Sequence, residues 1–519
     1  MNHPARRYAA FAAAAVLSLT TGLAATPAYA EEPTPGAISG HVVTEQPGSV
    51  TVNLFTTDGA AGGQVLSDTE GNFRFSSVPA GTYKIQYGFL GRFQWSHQKL
   101  GYSTADLVTV APGATTTVPE ETMLLPGVVE VVATDAVSGA PVDAICAGVQ
   151  EHSLQCGATN GRLRLENLAS GTYTLHVRSS DGLHARQEVR NVSVALGRTT
   201  RVEVALRPTT AITTTVVDRA TGQPVPYTCV AALPLVFGAL DDDTCRWDVN
   251  YTDDQGRVTL RELEPGDYTL LALPGDDVHG AQWVGRNGGV GRQHDALRVD
   301  GQGGRLSTVP TVKLDPAARI TGTIRDAATG EPLVNGCASL LPLRQGSGGP
   351  PGIGRFCADS EGAYTVPNLG PYAWPLQFSH FYDHAEPYAA VWSGGTPNRR
   401  AAEAVRAGTD EPGIADISLR RTGPRINVAA TSADGQPYHG WLAGEVYNAT
   451  TGDLVKEYSF HYGPRVIEGL ADQPVKLRYV PNPPWTAGWY GGTDRSSAKT
   501  IRLRDDAARS ITIVLADPA

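Results

Sequence analysis

From Gly256, apolar side chains fall at Val258 and Leu260, then at Leu263; after Glu264-Pro265-Gly266-Asp267 they resume at Tyr268 and Leu270. Spacing by two puts Val258 and Leu260 on one face of a strand. The Glu-Pro-Gly-Asp segment is a turn: proline sets φ and glycine accepts a positive φ. Tyr268 and Leu270 restart the alternation on a second strand. The pattern predicts strand, turn, strand with one buried face, and a lone copy cannot bury that face.

The chain writes the pattern repeatedly. Gly71 leads Phe73, Phe75, Val78, Gly81 and Tyr83; Gly161 leads Leu163, Leu165, Leu168, Gly171 and Tyr173. Gly362 keeps Tyr364, Val366 and Leu369, with Trp374 at the aromatic place, and Gly463 keeps only Ile467, Leu470 and Val475. A polar turn precedes four copies: Asp135–Asp143, Asp218–Pro226, Asp326–Val334 and Ser432–Gly440. The motif glycines stand 90, 95, 106 and 101 residues apart. That period predicts a tandem array of five antiparallel β-sandwich domains, each with about seven short strands. The expected limits are 31–125, 126–208, 209–316, 317–421 and 422–519, the last repeat degenerate.

A first strand, D-x-x-T/S-G-x-P, then T-D-x-x-G with alternating apolar residues and a closing G-x-Y, resembles the carboxypeptidase regulatory-like domain. That family stands with transthyretin-like, collagen-adhesin B-type and starch-binding-like sandwiches. The resemblance spans nearly the whole chain after residue 30 and implies an all-β, prealbumin-like or Ig-like fold. On function it is nearly silent.

Arg6 and Arg7, the apolar run Ala9–Ala25 and Ala28-Tyr29-Ala30 read as a signal peptide cleaved after Ala30. The residues after the arginine pair favour ordinary secretion over twin-arginine export. No later apolar stretch reaches the ~20 residues of a spanning helix. The expected localisation is secreted or extracellular, released or held at the wall without a covalent link. The formal net charge is −10 and only 6 of 42 basic residues are lysine. No basic stripe stands out, so no nucleic-acid partner and no anionic membrane surface are expected.

Six cysteines admit fifteen pairings. The repeat frame selects one, because Cys146, Cys229 and Cys337 each follow the turn proline by five residues. The expected disulfides are 146–156, 229–245 and 337–357, as suits an exported chain. Metal binding through cysteine is not expected, since no Cys-x-x-Cys or Cys/His cluster exists.

Catalytic patterns are absent from the reading. The nearest to a nucleophile elbow is Gly101-Tyr102-Ser103-Thr104-Ala105, in a polar loop. His380 and His384 form H-x-x-x-H beside Asp383 and Glu386. On a strand those positions stand ~13 Å apart, too far for one ion. Asp241-Asp242-Asp243 reads as a solvated acidic tip rather than a calcium site. None of the lysines (84, 99, 313, 456, 476, 499) lies in the first strand of a repeat, so a Lys–Asn isopeptide bond is not expected. No cofactor, metal or catalytic residue is assigned.

Trp95, Trp283, Trp392 and Trp489 lie 24 to 30 residues after their motif glycines, each before a polar loop. Two readings stand. Each ring caps one end of its sandwich, which the general burial of aromatics favours, or it is exposed and stacks on sugar faces. These four are the ligand-binding candidates, and the candidate partner is a glycan or cell-wall polymer. The leading expectation is a secreted, non-catalytic binding or scaffolding protein. One alternative is an accessory or member of a polysaccharide-degrading system of α-amylase or starch-binding type. An amylase barrel needs ~250 residues of alternating strand and helix, and no such segment is free. The other alternative is a structural surface spacer.

Overall fold

The computed structural model describes every residue except 1–33, 45–47, 90–91, 100, 125, 151–152, 169, 196, 247–248, 345, 348–352, 381–387, 422, 462–464 and 517–519. The signal peptide and its cleavage site, His384 with Asp383 and Glu386, and motif glycine Gly463 lie outside the described residues. The fold is all-β, and regular helix among the described residues is confined to four 3-10 turns. There are two compact units. One holds the described residues up to Val128 with Glu166–Gly171 and Val194–Thr199; the other holds Val129–Leu165, Thr172–Ser193 and the described residues from Thr200 onward.

Repeat three gives the plan. Its first sheet orders Arg257–Leu263, Thr210–Asp218 and Arg305–Thr308, with Val312–Leu314 also on Thr210–Asp218. Its second sheet orders Cys229–Pro234, Gly266–Leu273, Gln282–Val284 and Gly289–Val290, with Val299–Gly301 also on Gly266–Leu273. Ile212, Val216, Val258 and Leu260 face Val230, Leu270, Ala272 and Val284 across the layer between them. The sandwiches are antiparallel except at one place: the last strands return beside the first and run parallel to it, as in Val216↔Val312 and Ala37↔Thr115.

The motif glycine has a steric cause. Gly256 has φ +69° and its carbonyl accepts from Val216 N at 2.7 Å; a Cβ there would stand 2.3 Å from Val216 O. Gly71, Gly161 and Gly362 share the positive φ and the same crowding by a first-strand carbonyl. Only glycine tolerates both. The aspartate before it closes the turn: Asp253 Oδ1 accepts from Gln255 N at 2.9 Å and from Arg257 N at 2.8 Å. The aromatic twelve residues on holds the next turn by donating to the carbonyl four residues back. Tyr83 donates to Pro79 O (2.9 Å), Tyr268 to Glu264 O (2.6 Å) and Trp374 to Gly370 O (2.9 Å).

The three disulfides are Cys146–Cys156, Cys229–Cys245 and Cys337–Cys357, the pairs the repeat frame selects. Each ties Ile145–Gly148, Cys229–Pro234 or Gly336–Ser339, the strand next to the motif's second strand, to the chain beyond it.

Repeats three and four share one core. Cys229, Ala231, Leu233, Leu271, Leu273 and Trp283 form a cluster with Ile320, Ile324, Val366, Leu369, Trp374 and Phe378. The second strand of repeat three is therefore buried on both faces, which is why Tyr268–Leu273 reads YTLLAL without alternation. Repeat one, by contrast, keeps its own core of Ile38, Val52, Leu54, Phe73, Ile85 and Tyr87.

Candidate functional site

All four candidate tryptophans occupy the same register position. They stand on the outer face of the second sheet, opposite the residue fifteen after the motif glycine. The rows are Asn53–Gln86–Trp95, Ala231–Leu271–Trp283, Ser339–Gln377–Trp392 and Glu445–Arg478–Trp489. The rings thus lie on a sheet face, not over one end of the sandwich. The reason is that the strand carrying each tryptophan pairs antiparallel with the motif's second strand before the chain turns back. Trp95 and Trp392 open that turn: Trp95 N donates to Lys99 O and Trp392 N to Thr396 O, both at 2.7 Å.

What covers each ring differs. Trp283 and Trp392 are each 2% exposed. Trp283 lies in the core shared with repeat four. Trp392 packs below the Arg399 guanidinium, 6.0 Å from its ring centre. Trp95 is 7% exposed, with the Phe55 and Tyr102 rings each 5.3 Å away. Trp489 is half-buried, 5.5 Å from Tyr447. A sugar stacks on an open ring face, and Trp283 and Trp392 present none.

Arg399 is the chemical centre of this region. Its side chain is 8% exposed and that of Asp453 is 4% exposed. Arg399 Nε donates to Asp453 Oδ2 at 3.1 Å, and its Nη1 donates to Gln293 Oε1 at 2.8 Å. The guanidinium also lies 5.1 Å from the Phe237 ring centre. One side chain of repeat four thereby joins repeats three and five. A second bridge runs from Arg344 Nη1 to Glu445 Oε1 at 2.7 Å, and Arg478 Nη1 reaches Glu445 Oε2 at 2.9 Å. The two cations beside Glu445 hold its carboxyl below the usual range against the burial that raises it.

Sequence reasoning missed a further pair. His184 Nε2 lies 3.1 Å from Asp135 Oδ2, and His279 Nε2 lies 3.1 Å from Asp218 Oδ2. In both repeats the turn aspartate of D-x-x-T/S-G-x-P meets a histidine from D-x-x-H (Asp181–His184, Asp276–His279), a signal present in the chain. In repeat four Tyr388 donates to Asp326 instead. The turn's own donors keep these carboxyls ionised. Asp135 is lowered to about 2, chiefly by the Ser138 backbone N–H, and Asp218 to about 2, chiefly by the Thr221 hydroxyl.

A carboxyl whose folded pKa is depressed adds stability above its unfolded value, the ordinary 3.8. It loses that stability as pH falls through the folded value. Melting temperature should therefore fall most steeply between about pH 4 and pH 2. Asp218→Asn keeps an acceptor for the turn but cannot titrate, so it should flatten that fall. An unchanged slope in the variant would contradict the assignment.

The described members of the remaining sequence candidates take part in local structure. Ser103 sits in the 3-10 turn Tyr102–Thr104. His380 Nε2 lies 3.2 Å from Val334 O. Asp241 caps the 3-10 turn Asp242–Thr244, exchanging bonds with Thr244. Among the described residues no group of three His, Cys, Asp or Glu could hold a metal ion, and no helix is long and apolar enough to cross a membrane.

No protein-family model matches the chain, and no curated protein matches it. Among solved structures, a minor pilin of Streptococcus agalactiae is 10% identical over 33% of this chain and 95% of its own, with TM-score 0.23. The TIE protein of Bacillus anthracis is 12% identical over 72% of this chain and 69% of its own, with TM-score 0.17. A putative adhesin of Bacteroides ovatus is 12% identical over 37% of this chain and 91% of its own, with TM-score 0.20. Likenesses at these TM-scores carry no argument here. The β-sandwich fold rests on the strand pairing, and the narrower carboxypeptidase regulatory-like label rests on the motif alone.

Proposed function

We propose that this chain is an exported, non-catalytic scaffold in which five sequence repeats give a smaller number of rigid bodies. On this reading residues 1–30 are the signal peptide, and the mature chain works outside the cell. The observation that carries the proposal is the use of the tryptophan rows. Where a binding platform would need open rings, Trp283 is packed in the core shared with repeat four, and Trp392 lies buried under Arg399, the side chain that joins repeats three and five. Three disulfides support an oxidising compartment. Glycan binding by Trp95, Trp283, Trp392 and Trp489, and membership of a polysaccharide-degrading system, remain the rivals, and burial weighs against the first. No proposed step uses a nucleophile, metal or cofactor.

The test is a polysaccharide and cell-wall array probed with the mature chain, beside an assay for released reducing sugar. The expected result is no sugar release and no binding that depends on Trp392. A Trp392→Phe variant that melts like the parent but loses glycan binding would sink the scaffold reading.

A further inference from the structure

In repeats three and five the outer face of the second sheet is a contact between sandwiches. Ala231, Leu271 and Trp283 meet the core of repeat four. Glu445, held also by Arg478 of its own repeat, meets Arg344 of repeat four. Repeat one presents the same face to solvent. One row crosses it as Leu66–Thr51–Gly88–Phe93, and the next as Gln64–Asn53–Gln86–Trp95.

The first row is apolar at both ends and open. Leu66 is 65% exposed and Phe93 is 57% exposed. The Phe93 ring lies across Gly88, where a Cβ would stand 2.7 Å from its Cε1. So the absence of a side chain at Gly88 seats the ring on the sheet. In the second row Asn53 Nδ2 donates to Gln86 Oε1 at 3.2 Å. The cation of this face is covered, since Lys84 Nζ donates to Tyr102 O at 2.6 Å and lies 4.0 Å from the Tyr102 ring centre.

We infer that this face of repeat one docks a second copy of the chain about a two-fold axis. Two features select that occupant. Among the described residues the face presents no exposed charge, since Lys84 is enclosed at 9% exposure, so self-pairing brings no exposed like charges together although the whole chain is formally −10. Its rows are also self-complementary. A two-fold axis across the middle of the first row sets Phe93 of one copy on Leu66 of the other, as an isologous contact requires. It sets the Asn53–Gln86 amide pair on its mate, which can exchange hydrogen bonds. A single exposed ring with mutually bonded amides fits a protein face better than a sugar chain.

The test is sedimentation velocity on the exported, disulfide-bonded chain across micromolar concentrations, the weak end of a standard interface. The parent should dimerise with concentration. Phe93→Glu should abolish the dimer with melting unchanged. Val137→Glu, at a turn residue 82% exposed and outside this face, should leave it intact. Phe93→Glu with Leu66→Arg should restore it, because the two-fold places each glutamate on an arginine. A parent that stays monomeric throughout would overturn the inference, as would a Phe93→Glu variant that still dimerises. So would a monomeric parent whose glycan binding is lost in Phe93→Glu, which would give the face to a sugar.

Discussion

Arg399→Met is expected to lower stability by about 3–5 kcal/mol where repeats three, four and five meet, because it strands a buried carboxylate. Asp453 is enclosed, and Arg399 is the cation that meets it. Methionine fills much of the same volume, so lost packing is a small part of the effect. Gln293 loses its acceptor role at the same stroke. The pair itself need not be a net gain, since removing charges from water costs nearly what their attraction returns. The double variant Arg399→Met with Asp453→Leu should therefore recover most of the loss. Thermal melting of the parent, both single variants and the double variant checks this. Additive losses in the double variant would mean that the two side chains do not act as a pair.

Trp283→Ala should cost about 3–5 kcal/mol, the usual range for removing a large buried aromatic. The informative part is where the loss appears. The ring belongs to repeat three in sequence, yet it packs in the cluster that holds Ile320, Val366 and Phe378 of repeat four. Calorimetry of the variant should show both repeats melting earlier and still together. An open binding platform would behave otherwise, leaving melting in place and changing only affinity. Trp95→Ala should be milder in reach, since its neighbours Phe55 and Tyr102 belong to repeat one.

Much of the fold is legible because its causes are local. Alternation at Val258 and Leu260 gives the strand, and the glycine before them is forced by a carbonyl that any Cβ would strike. The cysteine pairs follow because each of the three repeats that carry cysteine offers two, one after its turn proline and one before its motif glycine. What is not legible depends on which faces meet. The unbroken run Thr269–Leu273 signals a strand buried twice, but nothing local says that repeat four supplies the second cover. Arg399 is one arginine among many in a polar loop until the fold brings Asp453 and Gln293 to it. The tryptophan spacing is plain in the chain, whereas burial of the rings depends on what lies beyond the sheet. D-x-x-H was readable as a recurrence, but its partner aspartate lies about fifty to sixty residues earlier, at a turn with an evident role of its own.

The central claim is that repeats three and four are one cooperative body built around a shared core. Native-state hydrogen exchange on the full exported chain, followed with rising denaturant, tests it most directly. Amides of Gly266–Leu273 in repeat three and of Ala318–Asp326 and Ala363–Leu369 in repeat four are the probes. The account predicts that the slowest of them merge into one opening, with the same free energy and the same denaturant slope. Two separate openings, with repeat four keeping its protection after repeat three has lost its own, would contradict it.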